Sequence, residues 1–298
     1  MGSWGTGLYS GDFALDLRTK IRAVARLPFD PERLVEILCE SESPAANNLE
    51  NDDYTTFWLV VADQFARRGF ASVRARETAL RIIDQGDDVV AQQKLGRSAA
   101  GLAKRSRVLE EVRERIGASQ SGARKRSIIR KPEPFLMDVG EALLYPLCHG
   151  KCRNAYIAKR EKQIVGPVDA RVPWTPNGWG VAIIAERGRA FDFFAWYRPF
   201  VLSRVLRNKP NLIALSDEQW RLTLPGNCPP IHFRRLEFEH LGVFDVSVER
   251  VHAAFPRLLS GDSSAIGDIS ICNRLSISVA PGRIFQERYV RLSDVTSR

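Results

Sequence analysis

Apolar residues follow two different rhythms along this 298-residue chain. In the first third they recur at steps of three and four, the period of a helix with one buried face. Phe13, Leu17, Ile21, Val24 and Leu27 form such a stripe over residues 12–27, and Pro28 forbids its continuation. Ser10 or Asp12 is placed to cap its start. Asp30-Pro31 opens a second helix, proline suiting the first turn, with Leu34, Ile37 and Leu38 as its buried side. After a loop over 41–51, residues 52–68 carry Phe57, Trp58, Val61 and Phe65 on a wide apolar face, and Gly69 is a natural stop. Residues 72–85 predict a fourth helix built on Val73, Leu80 and Ile83. Residues 87–117 predict further helix, interrupted near Gly96 and Gly101.

Beyond 117 the rhythm changes. Ser119-Gln120-Ser121-Gly122-Ala123-Arg124-Lys125-Arg126 is small, polar and basic, as an exposed linker is. Strands are predicted at 135–147, 155–158, 180–186, 190–197, 212–215 and 232–238, with Arg187-Gly188-Arg189 as a hairpin turn. A helix at 247–255 and late strands at 269–279 and 283–292 complete the pattern. The expected class is α+β: a helical domain over 1–118, a basic linker over 119–134, and a β-rich, mainly antiparallel domain over 135–298 with one or two helices.

Composition adds compartment and partner class. A hydrophobic share of 44% and a charged share of 27% are those of a globular protein. No apolar run reaches membrane-helix length and no secretory signal opens the chain, so a cytoplasmic location without membrane contact is expected. The five cysteines are an odd, scattered set, which suits reduced thiols. Charge is uneven: residues 1–118 hold 17 Lys and Arg against 18 Asp and Glu, leaving 27 basic and 17 acidic residues beyond. Such a basic region concentrates acidic partners such as nucleic acids or acidic proteins.

Two resemblances follow from particular residues. Gly2-Ser3-Trp4-Gly5-Thr6-Gly7, continued by Asp12-Phe13-Ala14-Leu15-Asp16, resembles an uncharacterised bacterial family that opens on a Trp-Gly-x-Gly turn and an Asp-x-Ala-x-Asp helix. That likeness covers about the first third and implies a small helical bundle; it implies no activity. Physically, Trp4, Gly5 and Gly7 suit a loop laid across a bundle, and Asp12 and Asp16 favour the positive end of a helix. Met137-Asp138-Val139-Gly140-Glu141-Ala142-Leu143-Leu144-Tyr145-Pro146-Leu147 is similar to the first strand of SH3-like barrels among immunity proteins of bacterial toxin systems. That second likeness implies a barrel that binds and restrains a partner protein.

Candidate chemistry is sparse. Cys148-His149-Gly150-Lys151-Cys152 gathers two thiols and an imidazole, but a zinc site needs a second such knuckle and none is present; a turn after a strand is the simpler reading. Gly261-Asp262-Ser263-Ser264 has no histidine downstream and no nucleophile elbow. No phosphate-cradling loop or dinucleotide fingerprint occurs. No metal or cofactor is expected. Arg187-Gly188-Arg189-Ala190-Phe191-Asp192-Phe193-Phe194 matches most of an RNA-recognition strand pattern, but Arg189 replaces an aromatic platform and Asp192 adds a negative charge, and a core strand buried on both faces explains it better. Residues 89–109 could form a helix–turn–helix with residues 98–107 as the recognition helix. Lys104 to Lys131 form a basic run. The leading expectation is therefore a non-enzymatic protein that binds a partner protein, immunity- or defence-associated; the alternative is nucleic-acid binding through the basic second region and linker. Candidate contacts are Arg124, Lys125, Arg126, Arg130, Lys131, Arg187, Arg189 and Arg198, with Trp179 and Trp196.

Overall fold

The computed structural model describes residues 5–118, 126–159, 162–165, 172–256, 270–277 and 289–296. The class is α+β, and the chain divides into two compact units, Met1–Lys131 and Pro132–Arg298. Residues 126–131 of the expected linker thus belong with the helical unit, and 132–134 with the β unit.

The helical unit contains α1 (Asp12–Val24), α2 (Pro31–Ser41), α3 (Ser43–Asn47), α4 (Tyr54–Arg68), α5 (Val73–Gln85), α6 (Asp87–Lys94) and α7 (Ala99–Gly117). α4 is its axis. From Tyr54 to Phe65 every residue but Thr56 is buried, the pattern of a helix packed on nearly all sides, and α1, α3, α5, α6 and α7 lie against it. α1 buries Leu17, Ile21 and Val24 as its period predicts, with Ala14 inward in place of the half-buried Phe13. Its cap differs from expectation: Gly11 holds the N-cap position without a side-chain bond, so neither Ser10 nor Asp12 caps. Asp30, Ser72 and Ser98 do cap α2, α5 and α7, accepting from Arg33, Ala75 and Gly101 backbone N–H groups at 3.0, 3.1 and 3.3 Å. Gly101 therefore sits inside the first turn of α7, and the break falls at Gly96, whose φ of 79° an L side chain resists.

The β unit contains β1 (Glu141–Cys148), β2 (Lys151–Cys152), β3 (Ile164–Val165), β4 (Val172–Pro173), β5 (Gly178–Ala190), β6 (Phe194–Leu202), β7 (Gln219–Leu222), β8 (Gly226–Asn227), β9 (Glu239–Val243) and β10 (Tyr289–Arg291), with helices α8 (Pro230–Leu236) and α9 (Val248–Ala254). The main sheet runs β10-β7-β6-β5-β1-β2; β8 pairs with β6, and β9 with β1. Its pairings are antiparallel. Among the described residues no pairing joins β10 to β2, so the described sheet is open and the expected SH3-like barrel is not shown. Both faces are covered. Leu143, Tyr145, Ile184 and Tyr197 pack with Leu236 of α8 on one face; Leu144, Ile183 and Phe200 pack with Val251 of α9 and Phe255 on the other. Two covered faces explain why β6 is buried along its whole length and reads as a continuous apolar run.

Several local expectations change. Arg187-Gly188-Arg189 lies within β5; the turn is at Phe191 and Asp192, with φ of 52° and 63°, closed by Phe193 N–H to Ala190 C=O at 3.1 Å. Gly188 serves a different need: a Cβ there would come within 2.5 Å of the Trp196 ring. Residues 230–236 form α8 instead of a strand, because Pro230 starts the helix and His232 and Leu236, four apart, both turn inward. Residues 155–158 are not a strand, and 213–215 form a single 3-10 turn. Of the two late strands, only residues 270–277 and 289–292 are described, as a 3-10 turn at Ile271–Asn273, β10 and the start of a second turn. No described helix is long and apolar enough to cross a membrane.

Candidate functional site

The N-terminal loop is tied down by a buried ion pair. Arg105 of α7, only 4% exposed, grips Asp88 of α6 with two bonds of 2.8 and 2.9 Å, and Thr55 of α4 adds a third at 3.2 Å. The same guanidinium donates to the Gly7 carbonyl at 2.9 Å and the Thr6 carbonyl at 3.4 Å. Thus Gly5 and Gly7 belong to a loop clamped by arginine; Trp4 lies outside the described residues. It also means that Arg105, inside the would-be recognition helix, is committed to the core. Beside the loop is a cleft of ≈ 250 Å³ lined by Asp12, Asp52, Asp53, Gln92 and Arg97 among others. Burial, then the charge of Asp52, raises the pKa of Asp53. Asp16 is exposed on α1, outside this cleft.

A second buried carboxylate has a different setting. Asp63, in the middle of α4 and fully buried, accepts from Tyr9 Oη, from Arg67 Nε at 2.7 Å and from Arg115 Nη1 of α7. Gln64 donates to Tyr9 Oη and accepts from Arg68 Nη1 at 2.5 Å. Arg18 of α1 lays its guanidinium over the Tyr9 ring, 5.4 Å from the centroid, and its buried Nε has no hydrogen-bond partner. Burial, then the positive charges of Arg22 and Arg18, lowers the pKa of Arg68. Burial and Asp63 hold the Tyr9 hydroxyl above its ordinary value, so Tyr9 stays neutral. Arg67 and Arg115 thus pair with Asp63, while Gln64 and Tyr9 hold Arg68 and Arg18 beside it.

The basic residues after α7 extend this surface. Arg126 donates to the carbonyls of Ala25 at 2.8 Å, Phe29 at 2.7 Å and Leu27, satisfying the carbonyl end of α1, and it stacks on Phe70 at 5.1 Å. It is an anchor here, correcting its assignment as a linker contact. Ile129 N–H then bonds Arg26 C=O at 2.8 Å, and Arg130 and Lys131 follow, exposed. Arg124 and Lys125 lie outside the described residues.

The candidate contacts in the β unit are mostly engaged internally. Arg187 and Arg189 sandwich Phe135, at 4.4 and 4.1 Å from its ring centre, and bond the carbonyls of Met137 and Glu133. Arg198 is 4% exposed, 3.3 Å from Glu186, and desolvation lowers its pKa. Trp196 is buried over Gly188. Trp179 is half-buried under the Lys209 ammonium at 4.6 Å. Arg198 and Trp196 are thus buried packing of the sheet, whereas Arg189 stays exposed and Arg187 and Trp179 half-buried while making these contacts.

Thiol and imidazole groups do not assemble a reactive centre. Cys148 and Cys152 sit at offset positions of the β1–β2 hairpin, Leu147 facing Cys152 and Cys148 facing Lys151, so the two thiols point to opposite faces. His149 and Gly150 form the turn, with φ of 48° and 74°. The loop at Gly261 is outside the described residues. One hydroxyl–imidazole pair does exist, His232 Nδ1 to Ser270 Oγ at 2.9 Å, but Ser270 is wholly buried and its Oγ accepts from Cys272 N–H as a cap. Among the described residues, no group of three or more His, Cys, Asp and Glu is arranged to hold a metal.

Compared with family models, curated proteins and solved structures, the chain has no match. The reading of its site therefore rests on the arginine cluster itself. The helix-period pattern gave no signal for it, neither for Arg18 nor for its convergence with Arg67, Arg68 and Arg115.

Proposed function

We propose that the chain is a non-enzymatic binding protein that holds a nucleic acid by its phosphate backbone on the basic surface of its helical unit. The observation that carries this reading is the placement of Arg18, Arg67, Arg68 and Arg115 about Tyr9, Gln64 and the buried Asp63, with Arg67 and Arg115 bonded to that carboxylate. Like charges held this close repel, and an anionic partner offsets that repulsion while releasing its own counterions. Arg26, Arg130 and Lys131 lengthen the positive surface in the direction of the α1 carboxyl end.

Fluorescence anisotropy with a labelled single-stranded oligonucleotide tests this. The wild type is expected to bind at low salt, and reversing the exposed pair Arg22→Glu and Arg26→Glu to weaken binding at least about tenfold. Unchanged affinity in a folded double variant would contradict the reading, as would no binding by the wild type.

A partner protein is the second reading, favoured by β9. This strand pairs with β1 on one side only among the described residues, and Val243 on it and Ile213, whose neighbour Leu212 lies against Gly242, are 62% and 85% exposed. An open edge strand accepts an added strand from a partner. The immunity-type form of this reading is weaker, because it came with the barrel. A protein that co-purifies after nuclease treatment and is lost on Val243→Lys would favour it.

A further inference from the structure

We infer that α6, the turn at Gly96 and α7 form a duplex-reading element, in which the outward face of the first half of α7 enters the major groove of double-stranded DNA. This rests on the nucleic-acid reading above and names the form of nucleic acid and the helix that meets it.

The geometry comes from two short-range features and one buried pair. α6 closes at Leu95, Gly96 takes a φ of 79°, and the Ser98 side chain caps α7, accepting from Gly101 N–H at 3.3 Å. Two helices joined through residues 95–98, with a left-handed glycine among them, form the helix–turn–helix connection. Asp88 of α6 and Arg105 of α7 fasten the two helices together by bonds of 2.8 and 2.9 Å. That pair also fixes the orientation of α7, because Arg105, Leu109, Val112 and Ile116 form its buried side. At about 100° per residue, Arg107 stands roughly 200° round from Arg105 and so points away from the core. Ala103 lies one turn before Arg107 and Ala100 two turns before it, with Lys104 alongside; all four are exposed. Alanines let the helix backbone come close to a groove floor, while the longer Lys104 and Arg107 reach past them to base edges and phosphates.

Charge identifies the occupant. From residue 89 to residue 109 there is no Asp or Glu, against Lys94, Arg97, Lys104, Arg105 and Arg107. Arg105 answers Asp88, and Arg97 is engaged with Gln92. Lys94, Lys104 and Arg107 are exposed and make no hydrogen bond or ion pair among the described residues. The carboxylates of α7 come only later, at Glu110, Glu111 and Glu114. A recognition helix meets base edges with its N-terminal residues, so a helix that is positive in its first half and carries its acids in the second has the required polarity. The acidic cleft of Asp12, Asp52 and Asp53 is lined by Arg105, on the side of α7 that faces away from Arg107. A single strand has no groove to admit a helix, which makes the duplex the preferred form.

The test uses the full chain, a labelled duplex pool of randomised sequence and a labelled single strand of the same length. The duplex is expected to bind at least about tenfold tighter at low salt, and repeated selection from the pool to enrich a common sequence. The double variant Lys104→Gln, Arg107→Gln is expected to weaken duplex binding at least about tenfold and to lower its log–log salt slope by about 1.8, roughly 0.9 per contact. The single strand, held at the arginines about Asp63, is expected to stay within about twofold. Glutamine suits an exposed helix position, and circular dichroism checks the fold; Arg107→Gln alone replaces the double variant if that fails to fold. Duplex binding no tighter than single-strand binding, or unchanged in a folded variant, overturns the inference and leaves the nucleic-acid reading standing. If neither probe binds, both fall. A wild-type dimer in sedimentation that the variant abolishes, without duplex binding, assigns the face to a second copy and overturns the inference equally.

Discussion

Asp63 and Asp88 are both fully buried on or beside α4, yet their partners assign them different work. Asp88 is matched one to one by Arg105, and the pair locks α6, α7 and the glycine loop together. Asp88→Ala strands a buried guanidinium and is expected to lower unfolding free energy by about 3–5 kcal/mol in urea titrations, with the arginine cluster still in place. Asp63 is outnumbered, which is why its surroundings read as a site. The sequence pattern singled out none of Arg18, Arg67, Arg68, Arg115 or Asp63, because an acidic residue in an apolar helix gives no sign of which distant arginines reach it. His232 supplies a pH test at the same scale. Burial lowers its folded pKa below the ordinary imidazole value of 6.5, so the unfolded chain binds the proton more readily. Its stabilising contribution is present above that ordinary value and is lost as pH falls through the folded one. Melting temperature is therefore expected to drop between about pH 7.5 and 5.5, and His232→Gln to flatten that slope.

At the level of elements, α2 and the stop of α4 at Gly69 follow directly from sequence, whereas α5 keeps its expected span but not its expected face: Val73 is exposed, Leu80 is half-buried, and Ala75, Ala79 and Ile82 turn inward with Ile83. The strands were harder, because a sheet covered on both faces loses its alternation, and an apolar run such as 232–238 then looks like strand although Pro230 makes it helix. The β5–β6 hairpin was placed at a glycine, whereas the chain spends that glycine on the Trp196 ring and turns at Phe191 and Asp192 instead. Asp192→Gly relaxes a left-handed position and is expected to stabilise the unit by up to about 1 kcal/mol in urea unfolding; a loss of stability would contradict the turn geometry. The β1–β2 turn gives another check. All five cysteines are buried, and burial raises the thiol pKa of Cys39, Cys152 and Cys228. Ellman's reagent is expected to react slowly with the native protein and to titrate all the thiols once denaturant is added.

For the whole molecule, the structural division redistributes the charge. Residues 1–131 hold 22 basic and 18 acidic side chains, and residues 132–298 hold 22 and 17. The surplus that sequence assigned to the second region is shared, since residues 124–131 contribute five basic groups and belong with the helices. Within the β unit, Arg187, Arg189 and Arg198 are spent on Phe135 and Glu186, so its remaining positive charge is a weaker guide to a partner. Sequence showed that the chain is basic; only the convergence of α1, α4 and α7 shows where that charge is concentrated. If phosphates meet the arginines of the helical unit, as proposed, oligonucleotide binding must depend on salt through those side chains. A plot of log affinity against log salt is expected to be linear with a slope of about −3 to −4 for a single strand, falling by roughly 0.7 for each of Arg18, Arg22 and Arg26 replaced by glutamine. A slope near zero, or a steep slope that these replacements leave unchanged, would contradict it.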